Sequence, residues 1–338
     1  MSLETLSTDQ IQALLDEQRA HLAELTQQGL TLDLTRGKPS PEQLDLSLPL
    51  LDLPGADFRD SAGTDTRNYG GLHGLPELRE IFAPIMQAPV EQVVAGDNAS
   101  LAMMHDNLVF ALLHGTVDSP RPWSAEETVK FICPVPGYDR HFALTQAYGV
   151  EMIPVDLLDD GPDVAAVREL VKDPAVKGMW LVPTHGNPSG AVVSEAVAAE
   201  LAALETAAPD FRIFWDNAYV VHHLTEEQTK SADILGLCAA SGHPNRPITF
   251  ASTSKITFAG SGVCFLAASP ANVAWYLGHL GKRTIGPDKV NQLRHARFLR
   301  DEQGVHDLMA RHRAILAPKF EQVTTILRDR LAGHGVAQ

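Results

Sequence analysis

Four apolar segments of this 338-residue chain are each followed by side chains that can bind or react with a small molecule. The groups are the ring of Tyr138, the amide of Asn187, the carboxylate of Asp216 with the phenol of Tyr219, and Lys255 flanked by hydroxyls. A lysine amine forms a Schiff base with an aldehyde, and a carboxylate keeps a pyridine nitrogen protonated. Amide and hydroxyl donors hold a phenolate oxygen, and an aromatic side chain stacks on the ring. Together these groups predict a site for an aromatic, anionic, aldehyde-bearing ligand, and pyridoxal phosphate is such a ligand.

Each of these residues also has a common structural role. Asp216 could cap the following helix, and Asn187 lies in an Asn-Pro-Ser-Gly run that is typical of turns. Lys255 could be a solvated surface charge, and Tyr138 could be a core ring with its hydroxyl at the surface. The binding hypothesis rests on their joint occurrence after four successive apolar segments.

A phosphate group needs its own donors, and the segment from Ala95 to Ser100 can supply them. Glycine and small residues there precede the apolar run LAMMHDNLVFALL, which predicts a helix whose amino end offers free backbone N–H groups. The segment is therefore a candidate binding site for the phosphate group. The same segment could equally be a glycine turn before an ordinary capped helix.

The elements that must position these residues alternate between strand-like and helix-like segments from about residue 75 onward. Apolar runs predict buried strands at 129–135, 151–157, 176–183, 211–216, 248–253 and 262–269. Periodic segments predict helices at 8–28, 163–172, 194–207 and 304–333, the last with a glycine stop at Gly333. This alternation indicates an α/β fold with a mostly parallel sheet and helices on its faces, and ligands in such sheets bind at the carboxyl ends of the strands.

Composition excludes several functional classes. Hydrophobic residues make up 44% and charged residues 20%, which is typical of a globular enzyme-sized protein. The net charge of −15 disfavours nucleic acid and anionic membrane surfaces as partners. No apolar run approaches the roughly 20 residues of a membrane helix, and the amino end lacks a secretory pattern. Three widely spaced cysteines predict a reduced, cytoplasmic setting, and the histidine spacing predicts no metal site.

The motifs as a set resemble those of fold-type I pyridoxal-phosphate enzymes, specifically class I aminotransferases, and are most similar to a divergent bacterial group of aspartate aminotransferases. The resemblance runs through LDLTRGKPS, GTDTRNYGGLHGLPELR, ICPVPGYDRHF, NPSG, DNAYVVHHLT, STSKITFAGSGV and GPDKVNQLRHARF. It implies a large cofactor-binding domain with a mostly parallel mixed sheet sandwiched by helices. It also implies a smaller α/β domain formed by the two ends of the chain.

The resemblance implies a role for each matching residue. Lys255, Asp216 and Tyr219 would be catalytic, with Lys255 the Schiff-base lysine. Cofactor-binding residues would be Ala99, Ser100, Tyr138, Asn187, Asp216, Tyr219, Ser252, Lys255 and, reaching the phosphate of the neighbouring subunit, Tyr69. Substrate would contact Gly37, Arg36 and Asn187. Because Tyr69 would reach the phosphate of a neighbouring subunit, the resemblance also implies a homodimer with shared active sites.

The implied activity is transfer of an amino group, with aspartate the favoured donor, to 2-oxoglutarate. A dicarboxylic substrate needs a cation for its far carboxylate, and Arg36, Arg283 and Lys289 are candidates. Two alternatives stay open, a β-lyase or decarboxylase on the same fold and a non-catalytic effector-binding domain of an aminotransferase-like regulator. Only about 30 residues precede LDLTRGKPS, too few for the DNA-binding module of such a regulator.

The chain departs from the family pattern in two respects. Many relatives carry a phosphate-binding arginine eight residues after the lysine, where this chain has Val263. The resemblance also predicts roughly 90 further residues after Gln338, including an arginine for the substrate α-carboxylate, so we expect a truncated small domain. The predicted units are 1–50 in the small domain, 51–303 in the cofactor-binding domain, and 304–338 as a long helix leading back to the small domain.

Overall fold

A computed structural model describes residues 3–31 and 37–331 of the chain. Within these residues the α-helices are α1 (Thr8–Gln27), α2 (Pro41–Asp45), α3 (Pro76–Phe82), α4 (Ser100–His114), α5 (Asp139–Ala147), α6 (Val164–Leu170), α7 (Glu195–Ala202), α8 (Ile234–Ala240), α9 (Pro270–Arg283), α10 (Lys289–Leu299) and α11 (Glu302–Leu331). The strands are β1 (Val93–Ala95), β2 (Lys130–Val135), β3 (Glu151–Leu158), β4 (Gly161–Pro162), β5 (Val176–Leu181), β6 (Arg212–Asp216), β7 (Pro247–Ser252) and β8 (Cys264–Ala268).

These strands form one sheet in the order β1-β8-β7-β6-β5-β2-β3-β4. The five strands from β7 to β3 are parallel, whereas β8 and β1 at one edge and β4 at the other pair antiparallel. The predicted α/β class with a mostly parallel mixed sheet is therefore confirmed. Because β7, β6, β5 and β2 are parallel neighbours, their carboxyl ends lie side by side at one edge of the sheet.

Helices cover both faces of the sheet, because strand side chains alternate between the faces. Phe131 and Phe214 pack with α4 and α9 on one face. Ile132 and Ile213 pack with α6, α7 and α8 on the other. The second face continues over β1 and β8, where α3, α10 and the first half of α11 pack against Phe265. This double cover explains why the strands read as continuous apolar runs rather than as alternating ones.

The predicted strands agree with the observed ones to within two residues at each end, but one predicted helix is too long. The segment predicted as helix 194–207 ends at Ala202 in α7. Arg246 explains the early end, because its guanidinium donates to the carbonyls of Leu201, Ala202 and Leu204. The Leu201 and Ala202 carbonyls are among the acceptors that a helix leaves free at its carboxyl end, and Leu204 lies just beyond that end.

The two ends of the chain carry helices with apolar faces that the described residues leave uncovered. The α1 helix begins with the predicted capping box of Ser7 and Gln10, yet it buries no residue. The second half of α11 likewise exposes Phe320 and Val323. No strand lies at either end among the described residues, so the smaller α/β domain and the three domain ranges stay predictions. The glycine stop at Gly333 lies outside the described residues.

The three cysteines, Cys133, Cys238 and Cys264, are free and buried in the core. Burial raises the pKa of the Cys133 and Cys238 thiols to about 12 and raises that of Cys264 further. In the part of the chain that the structure describes, no helix is long and apolar enough to cross a bilayer.

Candidate functional site

A cavity of about 260 Å³ opens at the carboxyl ends of β2, β5, β6 and β7, where the amino end of α4 also points. This volume is close to the lower end of the range for small-molecule sites, roughly 300–1,000 Å³. Eight of the predicted site residues line it: Ala99, Ser100, Tyr138, Asn187, Asp216, Tyr219, Ser252 and Lys255. The topology of the sheet thus brings together segments that are far apart in sequence. Ser254 Oγ, for example, donates to the carbonyl of Asn98, which lies 156 positions earlier in the chain.

Asp216 is the last residue of β6 and is only 4% exposed. Its Oδ2 lies 3.0 Å from Nε2 of His141, and its Oδ1 is buried and has no partner among the described residues. A buried carboxylate oxygen without a donor is costly, so this atom is poised for a protonated nitrogen of a ligand.

His141 is a site residue that the sequence reasoning missed. It lies on α5 and stacks on the Trp180 ring at a centroid distance of 4.7 Å, which fixes the imidazole against Asp216. Thr145 reinforces this arrangement, because its Oγ1 donates to the His141 carbonyl and accepts from Trp180 Nε1. The sequence does carry one indication of this role. His141 comes three residues after Tyr138, a spacing that places both side chains on the same face at the amino end of a helix.

Lys255 follows β7 by three residues, and its Nζ lies 4.9 Å from the centroid of the Tyr219 ring. Burial lowers the pKa of the Lys255 amine, although the Asp216 carboxylate opposes that effect. A lysine with a lowered pKa is neutral more often and is therefore a better nucleophile. Burial raises the pKa of Tyr219, and the nearby Asp216 carboxylate adds to that effect, so its phenol stays a hydrogen-bond donor.

The amino end of α4 faces the same cavity. Ala99 is the N-cap residue and offers no side-chain cap to the backbone N–H groups of the first turn. Those groups, together with the hydroxyls of Ser100 and Ser252, can bind an anion such as phosphate. Lys255 is the one cation among the described residues that line this cavity. Val263, at the position where many relatives carry an arginine, is 1% exposed and packs in the core.

Other predicted residues lie away from the cavity or outside the described residues. Tyr69 is 82% exposed and Gly37 is also exposed, and neither lines the cavity. Arg36 lies outside the described residues. Arg283 pairs with Asp106 at 3.0 Å between Nε and Oδ1 instead of facing the cavity.

Lys289, the third candidate for a distal carboxylate, is buried against the protein's own backbone. Its Nζ donates to the carbonyl oxygens of Asn68 and Gly70. Both Arg283 and Lys289 are therefore engaged within this chain. A substrate carboxylate would have to displace those contacts.

Three histidines flank the segments of Asn187, Tyr219 and Lys255. His222 lies with Nε2 3.4 Å from the Lys255 carbonyl, and burial lowers the pKa of His222 to about 3. Burial also lowers the pKa of His185 and of His223, whose rings meet edge-to-face at 6.1 Å. In the described ranges, no group of three or more His, Cys, Asp or Glu side chains could hold a metal ion.

The chain is similar to known proteins over its full length. A family model described as aspartate amino-transferase matches residues 6–338. A candidate aminotransferase of Mycolicibacterium smegmatis is 60% identical over 341 residues, which cover 100% of this chain and 80% of that protein. An aspartate aminotransferase of Corynebacterium glutamicum is 55% identical over 339 residues, covering 100% of this chain and 78% of that protein. The crystal structure of an aspartate transaminase from Corynebacterium glutamicum superposes with a TM-score of 0.97 at 54% identity, over 100% of this chain and 80% of that one.

Proposed function

The chain belongs to the aspartate aminotransferase family and is an aminotransferase, and from that premise we propose that it transfers the amino group of aspartate to 2-oxoglutarate with pyridoxal phosphate as cofactor. The observation that carries the proposal is one cavity that exposes both the Lys255 amine and the unpartnered Oδ1 of Asp216. Asp216 ends β6, and Lys255 follows the adjacent parallel strand β7, so the sheet holds the two residues near each other.

The residues around the cavity fit the parts of this cofactor. Lys255 would hold the aldehyde carbon covalently, and Asp216 would bind the ring nitrogen through Oδ1. Asn187 and Tyr219 would donate to the phenolate oxygen, and Tyr138 would stack on the ring. The amino end of α4 with Ser100 and Ser252 would bind the phosphate. When bound, pyridoxal phosphate supplies an electron sink for the bonding pair that the substrate Cα releases.

Lys255 also has the chemistry of a general base. As a free amine, Lys255 would take the proton from the substrate Cα, and the resulting ammonium would donate it to the aldehyde-derived carbon of the cofactor. The lowered pKa of Lys255 favours this, because a neutral amine is the form that accepts a proton. Asp216 stays fixed by His141 throughout, so its charge needs no reorganisation during the reaction.

Aspartate as donor is supported by the 55% identical Corynebacterium glutamicum protein, which is named an aspartate aminotransferase. Gly37 and Arg36 stay our candidates for contacts to substrate. Tyr69 is exposed in the single chain, which is compatible with its proposed reach into the phosphate site of a second subunit. We therefore include a homodimer with shared sites in the proposal.

The experiment is a spectrum of the purified protein with pyridoxal phosphate, before and after aspartate is added. We expect a yellow protein whose visible band is lost with aspartate and restored with 2-oxoglutarate. Lys255→Ala should lose the band and the turnover. Lys282→Ala, at an exposed lysine of α9 away from the cavity, should retain both. A fully active Lys255→Ala variant, or release of pyruvate or carbon dioxide in place of amino transfer, would overturn the proposal.

A further inference from the structure

The α10 helix carries three polar residues on one buried stripe. Lys289, Gln292 and His295 recur every three residues and are 6%, 0% and 0% exposed. Polar side chains are normally excluded from a helix face that packs on the core, because each must find a partner there. The partners of this stripe lie in three segments: the loop that carries Tyr69, the segment that leads to Ala99 and Ser100 at the cavity, and the segment that carries Lys255.

Lys289 binds the loop that carries Tyr69. Its Nζ donates to the carbonyl oxygens of Asn68 at 2.6 Å and Gly70 at 2.5 Å. Gly71 packs on the lysine stem, since a Cβ there would lie 3.1 Å from Lys289 Cδ. The ammonium thus fixes the backbone on both sides of Tyr69 while leaving the tyrosine side chain exposed.

Gln292 binds the segment that leads into the amino end of α4. Its Nε2 donates to the carbonyls of Ala95 at 3.0 Å and Gly96 at 2.8 Å. Its Oε1 accepts from the backbone N–H of Leu75 at 2.9 Å. The side-chain amide of Gln292 therefore joins β1, the start of the Gly96–Ser100 segment and the loop before α3. Two of the three hydrogen bonds are buried and the third is partly buried.

His295 binds the lysine segment through two hydroxyls. Its Nδ1 lies 2.9 Å from the carbonyl of Asn291, so Nδ1 carries the proton and Nε2 accepts from Thr257 Oγ1 at 2.9 Å. Thr257 Oγ1 lies 3.1 Å from Oγ1 of Thr253, and Thr253 Oγ1 accepts from the Val263 backbone N–H. These contacts connect His295 to Thr253, which lies two residues before Lys255.

We propose that α10 is the positioning element of the cofactor phosphate pocket. Gln292 would act through the segment that leads into α4 of its own subunit, and Lys289 would act through the Tyr69 loop, which in the proposed homodimer reaches the phosphate site of the second subunit. The inference rests on the proposed function, because it assigns these residues to a bound phosphate. Neither residue lines the cavity, so both are positioning residues rather than catalytic ones. The pocket needs such support, because Lys255 is its one lining cation among the described residues and neutral donors must be well placed to bind an anion.

The test compares pyridoxal phosphate with pyridoxal, which has the same ring and aldehyde but no phosphate. Dissociation constants for both are measured by absorbance titration of the apoprotein. Gln292→Met and Lys289→Met should weaken pyridoxal phosphate binding by about tenfold or more, as expected for loss of one or more buried hydrogen bonds. Their affinity for pyridoxal should change by less than about threefold.

Lys289→Arg keeps the charge and the donors, so it should restore most of the preference for the phosphate compound. Lys282→Met is the matched control, because that exposed lysine donates to the Gly278 carbonyl of its own helix and does not line the cavity. If Gln292→Met fails to fold, the comparison of Lys289→Met with Lys289→Arg still decides the result. Equal losses for both compounds, or no loss, overturn this inference alone. A wild-type protein that binds neither compound overturns the proposed function and this inference with it.

Discussion

Replacement of His222 by glutamine should make the protein less sensitive to acid. Burial lowers the pKa of His222 from the ordinary 6.5 to about 3, so the folded protein keeps this imidazole neutral. Its Nδ1 is buried and has no partner among the described residues, and its Nε2 faces the Lys255 carbonyl. Glutamine retains a donor for that carbonyl but does not titrate.

The sign and size of the effect follow from linkage between proton binding and folding. Between pH 6.5 and pH 3 the unfolded chain binds a proton at His222 that the folded protein does not, so acid favours unfolding. From about pH 7.5 to about pH 5 this one site should cost about 2 kcal/mol of the free energy of unfolding. His222 is half-buried as a residue, so residual contact with water lowers the expected value toward about 1 kcal/mol.

The assay is urea unfolding of the apoprotein at these two pH values. Wild-type protein should lose about 1–2 kcal/mol more than His222→Gln between them, and all other titrating groups cancel in the comparison. His21→Gln, at an exposed position of α1, is the control and should lose as much as wild type. Equal losses in wild type and His222→Gln would refute a neutral, desolvated imidazole at this position.

Two further predictions concern buried polar pairs. Asp210 is fully buried and accepts from Lys177 Nζ at 2.9 Å, so Asp210→Ala should lower the free energy of unfolding by about 3 kcal/mol. We expect the lower end of the range of about 3–5 kcal/mol for breaking a buried ion pair, because Glu126 Oε1 remains 3.4 Å from Lys177 Nζ. A loss below about 1 kcal/mol in urea unfolding would contradict this expectation. His141→Phe keeps a flat ring but leaves Asp216 without its donor, and it should slow the aspartate half-reaction by about tenfold to hundredfold. Single-turnover absorbance measures that rate, His141→Gln should recover part of it, and a wild-type rate in His141→Phe would rule out the orienting role.

Much of the sheet could be predicted because buried parallel strands have a simple sequence signature. The runs at β2, β5, β6, β7 and β8 are packed on both faces, so each appears as a short, mostly apolar stretch rather than as an alternation of apolar and polar residues. The β1 and β4 strands have three and two residues, too few to show a pattern, and they were not predicted. Because ligands bind at the carboxyl ends of the strands in such sheets, the residues that follow these strands could then be predicted to line most of the candidate cavity.

The contacts made across the fold could not be predicted from the sequence. His141 and Asp216 are 75 positions apart, and no local pattern indicates that an imidazole of α5 meets the end of β6. Lys289 illustrates the same limit. Its charge suggested a substrate contact, whereas the fold places its ammonium on two backbone carbonyls 219 and 221 positions away. The length of α1 was predicted by its periodicity, but periodicity does not specify what covers its apolar face.

The buried cysteines have a practical consequence for studying motion in this enzyme. Thiolate is the form that reacts with maleimides and iodoacetamides, and the raised pKa of Cys133 and Cys238 makes it scarce at neutral pH. We therefore expect the native protein to behave as a cysteine-free background toward such labels. A single cysteine introduced beside Tyr69 would therefore accept a fluorophore or spin label selectively, without prior removal of the three native thiols from the core.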